Sequence, residues 1–378
     1  MKKILLIHNI INPTRTQFFN ELYLLLKENW FLLKIIFLSE NENNRKRNTE
    51  EEILKFLFPF HILSSKQLKI WGKDKFYFHI NQWIWKYIND EDPDVIIHAW
   101  WASFSTWLSL IRCKYNKKEY ILWNESTKYE LSWRRTITKP LVKLLVYFSD
   151  KYLSFWTRAT EYLMMLWANK YKICQIYNTV DIDYFLWEAE RLKPYKEELK
   201  KKYWINTKNV LLFVGQFIER KGVYEILEWF KNFQKDKKDR SLVFVWWWQE
   251  KEKMKQIIKE QNIKNVFFPW FFQKDKISEL YTIADVFTLP SKEEVRWLVI
   301  NEAMCFWLPI ITGYRVWASE DLVKEWENWY IMKEYNWEEF EKSLDYILYH
   351  NLINKNNSLK IIKECKISCF INKIKNFI

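Results

Sequence analysis

The segment FVGQFIERKG, residues 213–222, combines residue types that can bind a phosphate. Gly215 ends an apolar run that predicts a strand, and Lys221 lies just before a pattern that predicts a helix. A glycine loop that leads into a helix presents backbone N–H donors and the positive end of the helix dipole, and a lysine adds a point charge. The segment therefore predicts a phosphate cradle. The alternative is an ordinary Lys-Gly pair before a helix, because that pair is common.

Two carboxylates, Glu294 and Glu302, are eight residues apart in the segment LPSKEEVRWLVINEAMCFWLPIIT. The spacing predicts Glu294 in a loop and Glu302 in the helix that follows it. Ionised carboxylates accept hydrogen bonds from adjacent hydroxyls, so such a pair suits a sugar and a ribose. If Trp297 were glycine, the backbone at 296–299 could close against a ligand and direct its amides towards it. The alternative, which periodicity alone favours, is two surface glutamates on an amphipathic helix.

Strand and helix patterns that could position these residues alternate along the chain. The strand candidates of the first half are KILLIH, LKIIFL, DVIIHA, YILW and KYLSF, and the alternation restarts after QIYNTVDIDYF. This order is typical of α/β proteins, in which helices cover both faces of a parallel sheet. We therefore predict two doubly wound, Rossmann-like parallel-sheet domains that face a cleft, with ligands at the carboxyl ends of the strands.

The length of 378 residues exceeds what one hydrophobic core usually supports. We predict domains at residues 1–176 and 177–345, followed by a helical tail at 346–378, which in one interpretation packs back on the first domain. The opening MKKILLIHNI has too short an apolar core for a signal peptide, and the five cysteines form no Cys-x-x-Cys pair. The sequence predicts a cytoplasmic protein with reduced thiols.

Tryptophan is abundant and glycine is scarce, with 24 and 4 residues respectively. Many tryptophans stand just after a helix, where the backbone often adopts the left-handed conformation that favours glycine: ENWFLLKIIFL, WANKYKIC and WINTKNVLLFV are examples. Trp329 would complete an Asn-Gly turn if it were glycine, and Trp270 and Trp307 lie at turn positions. We infer that most tryptophans are glycines whose UGA codons were read with the wrong genetic code. A truly Trp-rich chain is the alternative.

The net charge of +13 is concentrated in the first half, where residues 1–180 contain 27 Lys and Arg but 17 Asp and Glu. This excess predicts an anionic partner such as a membrane surface, and a solvated Lys-rich surface is the alternative. Arg134, Arg135, Lys139 and Lys143 flank the apolar segment LVKLLVYF and could contact a membrane. An ordinary half-buried helix explains them nearly as well.

Several segments between YNTVD, which begins at residue 177, and Trp329 resemble the family 4 (group 1) retaining glycosyltransferases of the GT-B fold. These segments are FVGQFIERKG, VFVWWWQE, FFPWFF, LYTIADVFTLPS, EDLVKEWENWYI, and the two glutamates followed by EAMCFWLPII. The family's usual form has glycine at the positions of Trp297 and Trp307 and in the turn that Trp246, Trp247 and Trp248 occupy here.

The resemblance implies that residues 1–176 form an acceptor-side domain and that residues 177–345 bind a nucleotide-sugar. Lys221 would neutralise the donor diphosphate, Glu302 would hold the ribose, and Glu294 would contact the transferred sugar. With Lys221 and Glu294 as the catalytic pair, the implied donor-binding set is Gly215, Gln216, Arg220, Lys221, Trp297, Leu298, Val299 and Glu302.

One position departs from the resemblance. Many family members have arginine after the glycine that ends the strand, and here it is Gln216, which loses a bidentate phosphate partner. Arg220 is our candidate to compensate. Asp181 and Asp183 imitate the Asp-x-Asp of metal-dependent transferases, but they lie at the interdomain junction, so we expect neither a metal site nor a cofactor.

The first domain offers fewer candidates. Residues 12–16 resemble the entry loop of several family members and could line the acceptor side, and Glu125 and Arg158 are further candidates. His98, which closes the strand candidate DVIIHA, is either a polar cleft residue or a structural histidine.

The resemblance implies an enzyme that transfers a sugar with retention from a UDP-sugar or GDP-sugar to a cell-surface glycan or lipid-linked acceptor. We expect it in the cytoplasm, with peripheral contact at the inner face of the membrane as one alternative, and without nucleic acid. Two other functions stay open: an epimerase or phosphorylase of the same fold, and a basic, aromatic-rich nucleic-acid-binding protein.

Overall fold

The computed structural model folds into two compact units, residues 1–178 with 367–378 and residues 179–366. The residues described are 1–41, 49–70, 76–81, 83–99, 103–129, 133–233, 239–245, 251–269, 274–292, 298–316, 319–322, 329–349 and 355–378.

The first unit contains a parallel sheet with strand order β3-β2-β1-β6-β7-β8-β9 and a separate antiparallel hairpin, β4-β5. Its strands are β1 (Lys2–Ile10), β2 (Phe31–Ser39), β3 (Phe60–Ile62), β4 (Lys66–Ile70), β5 (Phe76–Ile80), β6 (Val95–Ala99), β7 (Glu119–Asn124), β8 (Lys151–Phe155) and β9 (Ile173–Ile176). Its first helices are α1 (Pro13–Glu28), α2 (Thr49–Ile53), α3 (Ile84–Glu91), α4 (Phe104–Tyr115), α5 (Trp133–Phe148) and α6 (Trp156–Met165).

The second unit contains a parallel sheet with strand order β12-β11-β10-β13-β14-β15. Its strands are β10 (Asn209–Val214), β11 (Arg240–Val245), β12 (Val266–Phe267), β13 (Val286–Leu289), β14 (Ile310–Gly313) and β15 (Trp329–Met332). Its helices are α7 (Ile182–Leu192), α8 (Lys196–Lys202), α9 (Val223–Phe233), α10 (Lys251–Glu260), α11 (Lys274–Ile283), α12 (Leu298–Cys305), α13 (Ser319–Leu322), α14 (Trp337–Tyr349) and α15 (Lys355–Glu364); α16 (Ile367–Phe377) belongs to the first unit.

The predicted fold class is confirmed: both units are Rossmann-like, with helices packed on a parallel sheet. The central strands are buried on both faces, as the fully buried residues of β6 and β11 illustrate. Strands that are covered on both faces are continuous apolar runs in the sequence, so the sequence predicted them clearly. The hairpin β4-β5 is an addition that the parallel pattern did not predict.

Several helices begin at side-chain caps that satisfy the first free backbone N–H groups. Asn12 accepts a hydrogen bond from the Thr14 amide at 3.3 Å, directly before Pro13 opens α1. Ser103 accepts from the Thr106 amide at 3.2 Å and opens α4. Each cap lies after the carboxyl end of a strand, so it also fixes where the strand-to-helix loop turns.

The last helices divide between the two units. Helix α15 packs on α12 of the second unit, whereas α16 packs on α1 and β9 of the first. Lys2 and Lys151 donate hydrogen bonds to the carbonyl oxygens of Ile378 and Phe377, which holds the end of the chain against the first sheet. The tail predicted from residue 346 is therefore not one structural element.

Among the described residues, five tryptophans adopt left-handed backbone conformations: Trp30, Trp156, Trp167, Trp204 and Trp307, with φ between 55° and 77°. At Trp204 the next amide, of Ile205, bonds to the carbonyl of Lys200 at 2.9 Å, and the Trp204 amide bonds to Lys201 at 3.0 Å. This is the hydrogen-bond pattern of a helix end that usually carries glycine. Trp167 and Trp307 end α6 and α12 in the same way.

Trp329 does not fit the turn position that the sequence suggested for it. It pairs with Ile310 as the first residue of β15, and it is absent from the described residues with positive φ. Trp270 lies outside the described residues. Among the residues that the structure describes, we find no helix that is both long and apolar enough to cross a membrane.

Candidate functional site

The candidate site of the second unit begins at the carboxyl end of β10. Gly215 continues the pairing with β11, because its amide donates to the carbonyl of Val245 at 3.0 Å. The chain then turns through Glu219–Lys221, where the Lys221 amide bonds to the carbonyl of Ile218 at 2.9 Å, and α9 starts at Val223. The predicted strand, loop and helix are thus present in this order.

Gly222 is the glycine that this loop requires. Its φ is 72°, and a Cβ at this position would lie 2.2 Å from the carbonyl oxygen of Pro290. Glycine therefore lets the Lys221 turn press against the loop that follows β13. The Lys292 amide donates to the carbonyl of Arg220 at 2.9 Å and joins the same two loops. By contrast, a Cβ at Gly215 would make only ordinary contacts with the Phe213 ring.

Lys221 is a buried cation in this turn, with 9% of its surface exposed. Burial, followed by the nearby positive charge of Arg220, lowers the pKa of Lys221 to about 7. A buried ammonium group is favoured when an anion enters beside it, because the anion compensates the lost hydration. The position of Lys221 therefore suits a phosphate ligand.

Glu302 is half-buried on α12, and a hydroxyl from α11 holds its carboxylate. The Tyr281 hydroxyl lies 2.7 Å from Oε2 of Glu302 and 3.3 Å from the carbonyl oxygen of Val299. Tyr281 is fully buried and stacks on Phe306 at 5.4 Å, so its ring fixes the direction of the hydroxyl. Burial, and then the charge of Glu302, raise the pKa of Tyr281 well above its usual value, so it remains a donor.

The remaining predicted donor residues fall into two groups. Gln216 and Arg220 are exposed beside the Lys221 turn, and Leu298 and Val299 are half-buried in the first turn of α12. Glu294, Trp297 and the run Trp246, Trp247 and Trp248 lie outside the described residues. The structure therefore brings the Lys221 turn to the β13 loop that leads towards α12.

A second tyrosine hydroxyl, that of Tyr335, supports the β13 loop. The Tyr335 hydroxyl donates to the carbonyl of Ser291 at 2.7 Å, and Ser291 is fully buried. Gly313 makes room for this ring, since a Cβ there would lie 1.9 Å from the Tyr335 oxygen. Sequence analysis missed Tyr281, Tyr335 and Gly222 as site residues. Only Gly222 carried a local signal, as a glycine between a turn and a helix.

A cavity of about 340 Å³ among the described residues of the second unit lies away from this loop. Its lining includes Lys193, Asp285 and Trp307. Asp285 directly precedes β13, whereas Pro290 directly follows it. The cavity is therefore at the opposite end of this strand from the loop that contacts Gly222.

The first unit holds a charged pair after its own central strand. Arg15, in the first turn of α1, forms an ion pair with Glu125, which follows β7. The guanidinium lies over the rings of Trp123 at 5.3 Å and Phe155 at 4.7 Å. The Trp123 indole donates to Glu125 at 2.8 Å. Two of the sequence candidates, the segment at residues 12–16 and Glu125, therefore meet in one cluster.

His98 lies in the interior of the first unit rather than at a surface. It is fully buried, its Nδ1 lies 2.7 Å from the Ser109 hydroxyl, and burial lowers its pKa to about 3. Arg158 is buried and lies 4.9 Å from the Tyr129 ring centroid. The environment of His98 is that of a neutral structural histidine.

The Asp-x-Asp imitation has structural partners. Asp181 accepts a hydrogen bond from the Tyr184 amide at 3.0 Å and caps α7, and Asp183 forms an ion pair with Lys366. Both carboxylates thus have structural roles at the start of this helix.

The segment that contains this site is similar to a known protein family. Residues 195–364 match the family Glycosyl transferases group 1. This match covers 170 of the 378 residues, just under half of the chain. The matched segment includes all six strands of the second sheet, Lys221, Tyr281 and Glu302.

Two curated proteins are similar to part of this chain. An uncharacterized glycosyltransferase of Haemophilus influenzae is 28% identical over 232 residues, which are 61% of this chain and 60% of that protein. Spore coat protein SA of Bacillus subtilis is 28% identical over 170 residues, 42% of this chain and 45% of that protein. The chain thus spans less than two thirds of the length of either relative.

A solved structure shows the fold over the whole chain. HepE of Anabaena, in complex with UDP, aligns with 100% of this chain and 99% of its own, with a TM-score of 0.76 and 13% sequence identity. At this identity the likeness concerns the fold, which is the GT-B type of two Rossmann-like domains.

Proposed function

We propose that this chain is a family 4 (group 1) glycosyltransferase that transfers a sugar, with retention, from a nucleotide-sugar to a cell-surface glycan or lipid-linked acceptor. One observation carries the proposal: the buried Lys221 turn is pressed by Gly222 against the loop that leads to Glu302. The turn then supplies a cation for a diphosphate, and helix α12, which follows the neighbouring loop, supplies a carboxylate for a ribose.

In this proposal Lys221 and the amides at residues 297–299 stabilise the charge that develops on the departing diphosphate. Such electrostatic stabilisation is commonly the largest contribution to catalysis. Glu294 contacts the transferred sugar, and Glu302 accepts hydrogen bonds from the ribose while Tyr281 holds its other oxygen. Gly215, Gln216 and Arg220 line the diphosphate.

The bond changes follow from retention. The acceptor oxygen bonds to the anomeric carbon on the face from which the diphosphate leaves, and the acceptor proton passes to a leaving phosphate oxygen. The donor is a UDP-sugar or GDP-sugar; the UDP bound to HepE supports a nucleotide ligand. The proposed reaction uses neither a metal nor a cofactor and takes place in the cytoplasm as a step in cell-envelope polysaccharide synthesis.

We further propose that most tryptophans of this sequence are glycines in the native protein. The five tryptophans with left-handed φ support this proposal, since an L-residue with a side chain is strained there by about 1 to 3 kcal/mol. The test is to read the codons and to measure the intact mass of the protein from its own cells. UGG codons, or a mass with 24 tryptophans, would contradict the proposal.

Transfer is tested on the chain made with its own genetic code. We expect it to release UDP or GDP from a matching nucleotide-sugar when an extract of membrane glycolipids is present, and the product linkage to keep the donor's anomeric configuration by NMR. Donor hydrolysis alone, across all acceptors, would contradict transfer. Product without any acceptor would indicate an epimerase, and a requirement for inorganic phosphate a phosphorylase.

A further inference from the structure

Two helices of the first unit expose apolar side chains along one face. In α4 the residues of this face are separated by seven and then four positions, from Phe104 to Tyr115. In α5 they are separated by four, three and four positions, from Ile137 to Phe148. Such spacings keep side chains on one side of a helix. Their exposed fractions are 47% for Phe104, 52% for Ile111, 77% for Tyr115, 66% for Ile137, 54% for Leu141, 46% for Leu144 and 49% for Phe148.

These helices are neighbours on the same side of the sheet. Helix α4 connects β6 to β7, and α5 connects β7 to β8, which are adjacent strands. Their inner sides share one core cluster, to which Leu110 of α4 and Leu145 of α5 both belong. Since the inner sides meet there, the two exposed stripes form one outer surface, which we call the α4–α5 face.

The charges of this face have one sign. Helix α4 contributes Arg112 and Lys114, helix α5 contributes Lys139 and Lys143, and neither helix contains Asp or Glu. Lys143 lies 3.8 Å from the Trp167 ring centroid, and Lys114 pairs with Asp150 beyond the end of α5. The face therefore combines apolar stripes with a net positive charge.

We propose that the α4–α5 face docks on an anionic phospholipid bilayer. Aliphatic and aromatic side chains enter the boundary between headgroups and acyl chains, while the lysines and arginines remain beside the anionic headgroups. A nucleic acid would leave the isoleucine and leucines uncovered. A second copy of the same face would bring positive side chains against positive side chains, which disfavours self-association.

Docking on lipid deepens the proposed function, because a lipid-linked acceptor lies at such a surface, but it is testable without transfer. The experiment measures co-sedimentation of the full chain with vesicles of pure phosphatidylcholine and with vesicles that also contain phosphatidylglycerol. We expect binding to the anionic vesicles that weakens as salt concentration rises.

Variants with matched controls locate the surface. We expect the double variants Leu141→Glu with Leu144→Glu, and Lys139→Gln with Lys143→Gln, each to weaken vesicle binding at least about tenfold. The controls are Leu54→Glu with Leu57→Glu and Lys170→Gln with Lys172→Gln, which change exposed residues elsewhere on the same unit and should bind normally. Circular dichroism confirms that each variant is folded.

Three results would overturn the proposal: no preference for anionic vesicles, equal losses in the controls, or self-association that the Leu141→Glu, Leu144→Glu variant abolishes, which would assign the face to a second copy. Nucleotide binding, measured without vesicles, should be unchanged in all face variants. Failure of docking is therefore distinguishable from failure of the proposed transfer.

Discussion

The two units hold a buried cation at equivalent places in different ways. Arg15 and Lys221 each follow a central strand, stand near the start of a helix, and expose 8% and 9% of their surface. Arg15 is neutralised within its own unit by Glu125 and stacks on two aromatic rings. Lys221 instead lies near another positive charge, Arg220, and its pKa is lowered to about 7.

This difference separates a structural charge from one that is suited to a ligand. A buried ion pair stabilises the unit that contains it only as long as both partners remain. A buried lysine whose charged form is disfavoured instead lowers stability until an anion enters, so the energy of burial is recovered on binding. The comparison predicts that the two cations respond oppositely to removal.

Lys221→Met should have the largest effect on activity. We expect transfer to fall by about 100-fold to 1,000-fold, because the charge on the leaving diphosphate loses its main stabilisation. The free energy of unfolding should stay equal or rise, since a buried charge is removed. Nucleotide release measures the first and urea unfolding the second. Lys255→Met, an exposed change in the same unit, is the control; an active Lys221→Met protein would refute the assignment.

Arg15→Met should have its main effect on stability. Removing Arg15 leaves the half-buried Glu125 carboxylate without the charge of its cationic partner, and we expect the free energy of unfolding to fall by about 3 kcal/mol. Lys34→Met breaks a more exposed ion pair with Glu91 in the same unit and should cost about 1 kcal/mol or less. If both changes cost the same, Arg15 is not the structural charge of the comparison.

As pH rises, the affinity for a nucleoside diphosphate and the contribution of Lys221 to stability should change in opposite directions. Above about pH 7 the folded protein loses this proton, so affinity for a nucleoside diphosphate should fall, by about tenfold per pH unit at most. The unfolded chain keeps the proton up to the usual pKa of 10.5, so this group's contribution to stability should rise with pH between 7 and 10.5.

Lys221→Arg is the control for this pH dependence, because an arginine stays charged throughout. Calorimetric titration at several pH values measures the affinity. A wild-type affinity that does not change between pH 6 and 9 would contradict the titration of Lys221. An identical slope in the arginine variant would show that another group titrates.

Tyr281→Phe should give a smaller and more selective effect. Without the hydroxyl the Glu302 carboxylate loses a donor, and we expect nucleoside diphosphate affinity to fall about fivefold. Inorganic diphosphate, which has no ribose, should bind as before. Tyr203→Phe removes a similar bond, 2.7 Å to Glu279, and is the matched control. Equal losses for both ligands would mean that Tyr281 acts only on the fold.

We expect the smallest effect from replacing a tryptophan by glycine at a helix end, and we expect the same effect in both units. Trp30 and Trp204 are exposed by 77% and 80%, lie in different units, and have left-handed backbones. Replacing either by glycine should raise the free energy of unfolding by about 1 kcal/mol. The same change at Trp187, which is 59% exposed within α7, should instead lower the free energy of unfolding by up to about 1 kcal/mol. Thermal unfolding measures these changes. A lower free energy of unfolding at all three positions would contradict backbone strain at Trp30 and Trp204.

The sequence predicted those parts of the site that depend on neighbours in the chain. The Lys221 turn follows from a strand, a loop and a helix within about ten residues, and helix ends at Trp30, Trp167 and Trp204 follow from local punctuation. Trp329 was misplaced, because its partner Ile310 lies in a neighbouring strand.

Contacts between distant segments were beyond such local patterns. Arg15 and Glu125 were each noted as candidates. Their pairing across 110 residues requires the carboxyl ends of β1 and β7 to lie at the same edge of the sheet. The Tyr281–Glu302 bond depends similarly on how α11 packs against α12.

The sequence by itself determined the alternation of strands and helices, the positions of several helix ends, and the residue types of the proposed diphosphate and ribose site, because these depend on side-chain periodicity and local backbone preference. Only the tertiary structure decided which charges are neutralised and which polar groups orient them. Burial and pairing arise when segments far apart in the chain pack together, and that packing made Arg15 a structural cation and left Lys221 suited to a ligand.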